Sequence, residues 1–444
     1  EDPGEAERLS RGVLGLLLAT VVVVTLAGML AAPALAWLVA PVFDAELREL
    51  VERLVVILFT TMGFMVVGAW CMGVLHAHGR FLWPNLAPVF WSIVSAGALV
   101  AFVGRVDVDP VYILAWGVVV GSILQLLVQL PSTRAALGTL LPARGWGDPA
   151  VRRVVALFTP MLIGTGVAQF SSLVDVQIAS FISDESVSTL AYAQRIYLLP
   201  LSLFGVAISQ VALTALSHDA AKSGERILDE LGSAWRRMAF LMIPAALVLA
   251  AFGRPVVSLL FERGRFDAHD TSAVTWVLAA YAIGLLAYGS VRLFATAFYA
   301  NQDTRTPVRA AVAALILNVA LGITLAWQLG TPGIALATAA AAIANGCLLG
   351  VILKRRLGRL FGGTSFADTI RMAAAAGVAG GLAVAPYIWM LSLWTGWSLT
   401  ERVAATLGLY ALIGLAYLLV ARALGVEELE SVLEGMRRRR PTTG

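Results

Sequence analysis

The chain has 444 residues, of which 59% are hydrophobic and 14% charged, with a formal net charge of +4 and a mean hydropathy of +0.83. Soluble domains carry roughly 25% charged residues, so this composition excludes a water-soluble globular protein and indicates an integral membrane protein. The two cysteines, Cys71 and Cys347, both lie inside apolar runs, which excludes a disulfide framework and a paired-thiol metal site.

A bilayer tolerates no unpaired backbone groups, so each crossing needs about 20 apolar residues in helical form. Twelve segments meet this requirement, at approximately 12–40, 54–75, 86–104, 111–130, 154–182, 188–216, 238–262, 271–300, 307–328, 333–353, 367–394 and 403–421. Residue 1 is Glu, and no short apolar stretch with a small-residue cleavage site precedes the first segment, so the start reads as a processed or cut end. The seventh segment is irregular: MAFLMIPAALVLAAF is short, and Arg254 interrupts it before PVVSLLF, which reads as an interfacial turn. Pro160, Pro200, Pro244 and Pro386 fall within spans and should kink them, either statically or as hinges. The runs ATAAAAIANG (337–346) and AAAAGVAGGLAVA (373–385) are rich in small residues that let helices approach closely. His76 and His78 are two apart and share no helical face, so they make a poor metal pair and should face solvent.

Twelve spans put both ends of the chain on one side, and the basic residues indicate which. Of the 32 Lys and Arg residues, 22 fall on the side of the termini, among them Arg80, Arg152, Arg305, Lys354 and Arg437 to Arg440; seven fall on the other and three (Arg195, Arg292, Arg371) within segments. Both termini are therefore expected to be cytoplasmic. FYANQDTRTP (298–307) becomes the cytoplasmic turn between the eighth and ninth spans, with Pro307 expected at the first helical position. The tail GVEELESVLEGMRRRR (425–440) reads as a short surface helix meeting anionic lipid, or as a simple topology anchor.

The chain also repeats itself. VLHAHGRFLWPNLAPV and LFATAFYANQDTRTPV both join two spans and end in Pro-Val. APALAWLVAPVFD matches GRPVVSLLFERGRFD, and ILAWGVVVG matches IALATAAAA, in the same order. The expected architecture is all-α, with two parallel-repeat lobes: an N-terminal lobe of four spans (1–130), a cytoplasmic linker (131–153), a C-terminal lobe of six spans (154–353), an extra pair (367–421) and a basic tail (422–444). The first lobe is two spans short of the second.

Ionisable groups within a bilayer are costly and are functional candidates by default. Arg195 would either clamp phosphate through bidentate hydrogen bonds in a cavity or snorkel to the headgroups. Arg292 has the same two readings, whereas Arg371, near a helix end, reads as an anchor. Asp175 is the one carboxylate deep within a segment; with Asn318 and Thr338 it offers oxygens that could bind a hard cation, or it is simply hydrogen-bonded between helices. Neither lysine, Lys222 nor Lys354, follows a phosphate-binding loop, and no Ser-His-Asp or zinc-binding spacing occurs in the spans, so an enzyme is not expected.

At FERGRFDAHDT (261–271), FYANQDTRTPV (298–308) and AYAQRIYLLPLSLFGVAISQ (191–210), the sequence resembles the MurJ (MviN) lipid II flippases, a branch of the superfamily that includes the MATE exporters. The resemblance runs from residue 10 to about 425 and implies fourteen helices in the family, of which this chain would hold the third to the fourteenth. It further implies that Arg195, in the motif YA-x-R, is a cavity arginine, although Gln194 stands where relatives often have an acidic residue. A sodium site is implied at Asp175, Asn318, Thr338 and the Ile334 carbonyl, but Gly322 occupies the place of an expected second carboxylate. The implied function is alternating-access translocation of lipid II in the bacterial inner membrane, with bilayer lipids and possible cell-wall synthesis proteins as partners, no nucleic acid, and no cofactor beyond possible Na+. The alternatives are a flippase for another lipid-linked oligosaccharide, a MATE-like cation exporter, which should favour cavity carboxylates over Arg195 and Arg292, and an inactive scaffold.

Overall fold

The computed structural model describes residues 3–39, 41, 44–143, 145, 147–210, 212, 224–300, 303–357 and 364–429. These residues form helices and connecting turns, with no strand among them. The helices are α1 (Pro3–Leu30), α2 (Ala32–Val39), α3 (Ala45–Ala77), α4 (Leu82–Phe102), α5 (Pro110–Leu137), α6 (Pro149–Ser180) and α7 (Asp184–Pro200), followed by α8 (Gly224–Phe252), α9 (Arg254–Phe261), α10 (Ala268–Ile283), α11 (Leu285–Ala300), α12 (Arg305–Leu329), α13 (Thr331–Leu357), α14 (Thr364–Leu393) and α15 (Leu399–Ala423).

Local sequence sets many of the boundaries. Asp44, Asp109 and Ser183 cap α3, α5 and α7 by accepting from the backbone N–H groups of Leu47, Val111 and Ser186, and Pro110 begins α5, where no amide partner is required. Reciprocal capping boxes open α10 (Asp267 with Asp270) and α15 (Ser398 with Glu401). Gly138 and Gly330 follow α5 and α12 at φ of 75° and 66°, a left-handed turn that a Cβ would oppose.

Among the described residues, ten helices are long and apolar enough to cross a membrane, and eleven with the bent pair α10–α11. Each expected span coincides with a helix or a helix pair over its described part; residues 211 and 213–216, at the end of the sixth, lie outside the described residues. The fifth falls on α6, which is 32 residues long and some of whose side chains are outside those described; Pro160 is one of them. Three spans prove to be broken. The first divides into α1 and α2 around Ala31, and the seventh breaks at Gly253, where the chain had been expected to falter. The eighth bends by 42° between α10 and α11 at Gly284. A Cβ at Gly284 would stand 2.8 Å from the Cα of Ala339 on α13, so this bend belongs to a close helix crossing.

The chain divides into two compact units, Glu1–Pro160 and Met161–Gly444. In the first, α3 packs on α1 and α5, and α4 pairs with α5. Trp70, Cys71, Val74, Leu14 and Leu137 form its buried cluster, and the Trp70 indole donates to the Ser10 carbonyl at 3.1 Å. Residues 138–148 connect α5 to α6, a shorter connection than the 131–153 expected. His78 is exposed as expected, but His76 is half-buried with its ring 5.3 Å from that of Phe81.

In the second unit, α10 and α11 pack on both α8 and α13, α7 packs on α10, and α14 and α15 pair against α8. The two small-residue runs serve packing: Ala337 and Ala339 are buried in α13, and Ala375, Ala376, Ala379 and Ala383 in α14. Pro244 removes the N–H that would bond to the Phe240 carbonyl one turn earlier in α8. That carbonyl instead accepts from the Tyr417 hydroxyl of α15 at 2.9 Å. Tyr410, two turns earlier on α15, donates to the Phe252 carbonyl at the end of α8, 2.8 Å away. The terminal helix pair thus satisfies two backbone defects of α8, and the Pro244 kink is a packed feature. Pro200 precedes a single π-helical stretch, Leu201–Val206, that prolongs α7.

The turn containing FYANQDTRTP joins α11 to α12, with Asn301 and Gln302 outside the described residues. Pro307 is the third residue of α12, not the first, and is tolerated because the first-turn amides have no intrahelical acceptor. Asp303 accepts from the Thr306 hydroxyl at 2.6 Å and from the Thr306 and Arg305 amides. Arg356, in the last turn of α13, reaches Asp303 at 2.6 Å and lies 5.7 Å from the Phe298 ring centroid. Partial desolvation alone would raise the Asp303 carboxyl, but the Thr306 hydroxyl and amide and Arg356 outweigh it and hold the group at about 2. The polar strip is therefore a staple between the α11–α12 turn and the end of α13. In the tail, Glu428 pairs with Arg236 of α8 at 2.7 Å and Val426 and Leu429 are buried, whereas Arg437 to Arg440 lie outside the described residues.

Candidate functional site

Three helices bring the expected polar set together. Asp175 is in α6, Asn318 in α12 and Thr338 in α13, and they are 2%, 1% and 8% exposed. The Asn318 amide donates to Asp175 Oδ1 at 2.9 Å, and the Thr338 hydroxyl lies 2.9 Å from Asp175 Oδ2. Thr338 Oγ1 is also 3.0 Å from the Ile334 carbonyl and 3.3 Å from Asn318 Oδ1. Both carboxylate oxygens thus have a partner, as a buried carboxyl requires. Thr338 Oγ1 thus lies within 3.3 Å of one Asp175 oxygen, the Asn318 side-chain oxygen and the Ile334 carbonyl, oxygen types that suit a hard cation. Gly322 adds no ligand, and a Cβ there would meet Ile178 Cδ1 at 2.9 Å.

One member of the cluster was missed in the sequence. Ser171 Oγ lies 2.9 Å from the Asn318 amide nitrogen. It precedes Asp175 by four residues, and that spacing on a helix was the available signal.

A tyrosine cluster adjoins this set. The Tyr288 hydroxyl lies 3.5 Å from the Thr338 carbonyl. The Tyr197 ring contacts Tyr288 and Tyr281 at centroid distances of 5.5 and 5.4 Å. Gln194 donates to the Tyr281 hydroxyl at 3.1 Å. Gln194 therefore serves the helix packing of α7 against α10.

Arg195 and Arg292 are both exposed on their helices, α7 and α11, and neither forms an ion pair among the described residues. The Arg195 guanidinium carbon stands 5.8 Å from the Tyr192 ring centroid. The two arginines share no partner. Arg371, by contrast, is held by Asp368 at 3.1 Å near the start of α14. The acidic cluster Asp267, His269 and Asp270 is the capping box of α10, whose backbone N–H groups already occupy the Asp267 carboxylate.

Residues 1–408 match the family model described as lipid II flippase MurJ. A probable lipid II flippase MurJ of Vibrio cholerae is 33% identical over 389 residues, covering 85% of this chain and 72% of that protein. One from Rhizobium tropici is 33% identical over 451 residues, covering 98% and 83% respectively. Among solved structures, a lipid II flippase MurJ in an inward closed conformation superposes with a TM-score of 0.73 at 22% identity, covering 93% of this chain and 84% of that one, a likeness of fold. A single family model that spans both compact units, together with relatives at one-third identity along most of their length, makes the chain a member of the lipid II flippase MurJ family.

Proposed function

We propose that this protein is a lipid II flippase of the bacterial inner membrane, moving the polyprenyl-pyrophosphate-linked peptidoglycan precursor from the cytoplasmic to the outer leaflet for cell-wall synthesis. The observation that carries this reading is the family match over residues 1–408. The substrate head is multiply charged, and carrying it through hydrocarbon unaided would be prohibitive. A cationic path is therefore needed, and Arg195 and Arg292 are the intramembrane cations offered for it. Arg195 contacts the pyrophosphate and Arg292 is a second substrate contact. The process is translocation by alternating access of the lobes 1–130 and 154–353, with no bond made or broken. The pair at 367–421 flanks the polyprenyl tail.

The basic-residue bias supports cytoplasmic termini. Asp175, Asn318, Thr338 and the Ile334 carbonyl form a sodium site within the C-terminal lobe, supported by their buried, mutually hydrogen-bonded oxygens, with Ser171 orienting the Asn318 amide. Bilayer lipids surround the spans, and other cell-wall synthesis proteins are candidate partners.

The test is translocation of purified lipid II by the full-length protein in sealed vesicles, with other lipid-linked sugars as competitors. Parent protein moves lipid II, and Arg195→Ala loses most of the rate. Translocation of a competing lipid-linked sugar in preference to lipid II would overturn the substrate assignment, and an unimpaired Arg195→Ala protein would overturn the role of that residue.

A further inference from the structure

Tyr192 lies three residues before Arg195 on α7, so the two side chains share a face, and the Arg195 guanidinium stands over the Tyr192 ring at 5.8 Å. The ring is itself walled in. Phe261, the last residue of α9, is 4.7 Å from it, and Phe266 meets it edge-on at 5.2 Å. The two phenylalanines contact each other at 5.9 Å, closing a box of three aromatic rings.

The α9–α10 connection that carries this box is well secured. Thr271 donates to the Glu262 carboxylate at 2.8 Å, and the Asp267–Asp270 capping box fixes the start of α10. Tyr192 is half-buried, and its hydroxyl makes no hydrogen bond among the described residues. The ring face, not the hydroxyl, is what the surroundings use.

We propose that Tyr192 is a positioning residue for Arg195: its ring, boxed by Phe261 and Phe266 of the FERGRF segment, holds the guanidinium so that its N–H edge is presented to a phosphate oxygen of the lipid-linked substrate. This rests on the reading of Arg195 as a substrate contact. A guanidinium stacked on an aromatic face keeps its in-plane donors free for an anion. Ordering the long side chain before the substrate arrives also removes part of the entropy that binding would otherwise cost. A cation–π contact corresponds to about a two- to fivefold effect where exposed and about thirtyfold where desolvated.

The experiment is the initial translocation rate of purified lipid II by full-length protein in vesicles, measured against the lipid II mole fraction. Tyr192→Leu is expected to raise the half-saturating fraction about two- to fivefold with a maximal rate little changed, while Tyr192→Phe behaves as the parent. In an Arg195→Gln background, Tyr192→Leu has no further effect. Where the Tyr192→Leu protein does not accumulate, Phe266→Leu, which removes one wall of the box, gives the same shift at smaller size. Loss on Tyr192→Phe equal to that on Tyr192→Leu, or an equal effect of Tyr192→Leu in both backgrounds, overturns the proposal. If Arg195→Gln impairs half-saturation but Tyr192→Leu is silent, only the positioning role falls; if Arg195→Gln is itself silent, the substrate role of Arg195 falls with it.

Discussion

Replacing Tyr417 by Phe deletes one hydroxyl and leaves a ring of the same shape against Phe240, whose centroid is 5.3 Å away. What it exposes is the consequence of Pro244. Proline offers no N–H to the carbonyl four residues earlier, so the Phe240 carbonyl depends on Tyr417 at 2.9 Å, and Tyr417 is 3% exposed. Interhelical hydrogen bonds in membranes average about 0.6 kcal/mol, whereas leaving a buried acceptor without a partner costs about 1–3 kcal/mol. The helix offers no alternative donor, so Tyr417→Phe should destabilise by about 1–2 kcal/mol, toward the second figure. Pro244→Ala restores the missing N–H and gives the carbonyl a partner within α8. The cost of Tyr417→Phe should then fall to a few tenths of a kcal/mol, a coupling that a double-mutant cycle isolates. The assay is denaturant unfolding of the four proteins in detergent, followed by intrinsic tryptophan fluorescence. Additivity of the two substitutions would refute the assignment of Tyr417 as the substitute partner for the proline defect.

Other outcomes follow from the same geometry. Exchanging choline chloride for sodium chloride should raise the parent's stability, by about 1.4 kcal/mol at ten times the dissociation constant; Thr338→Val should abolish the response, and an unaltered response would sink the sodium assignment. Asp303, held at about 2 against an ordinary 3.8, contributes stability that is present above pH 4 and lost as pH falls through 2. Asp303→Asn should therefore lose that acid-dependent step, read as the unfolding midpoint against pH; a step that persists in the variant contradicts the Arg356 staple. Gly333→Ala places a Cβ against the backbone carbonyl of Leu325, which cannot swing away, whereas the atoms nearest a Gly289→Ala Cβ belong to the flexible ends of Met238 and Met242, with their sulfurs at 2.7 and 2.8 Å. Overpacking costs about 1–3 kcal/mol, and Gly333→Ala should lie at or beyond the top of that range with Gly289→Ala at the bottom; the reverse order in unfolding measurements would show that α12 and α13 part readily.

Much of the candidate site was legible because each polar residue stands out against hydrocarbon. Asp175, Asn318 and Thr338 could be picked from three separate segments, and the structure joins them within hydrogen-bonding distance. Ser171 was not distinguished, since a serine in a membrane helix commonly bonds to its own backbone. Tyr192 was equally silent: an aromatic three residues before an arginine gains meaning only when Phe261 and Phe266 arrive from another helix pair. Gly284 gave no sign of breaking a span, because the cause is Ala339 on α13 and not a local preference.

The sequence by itself determined the spans, their approximate ends, the faltering of the chain at Arg254 and the bias of basic residues. A membrane helix satisfies its backbone within its own segment, so apolar length and terminal capping are local properties that can be read locally. Tertiary structure alone decided which donor reaches the carbonyl freed by Pro244 and which rings box Tyr192 beneath Arg195. It also decided that Ser171 and Asn318, 147 residues apart, would meet. Those pairings depend on how helices distant in sequence cross, and that is set by the shapes of all the side chains packed between them.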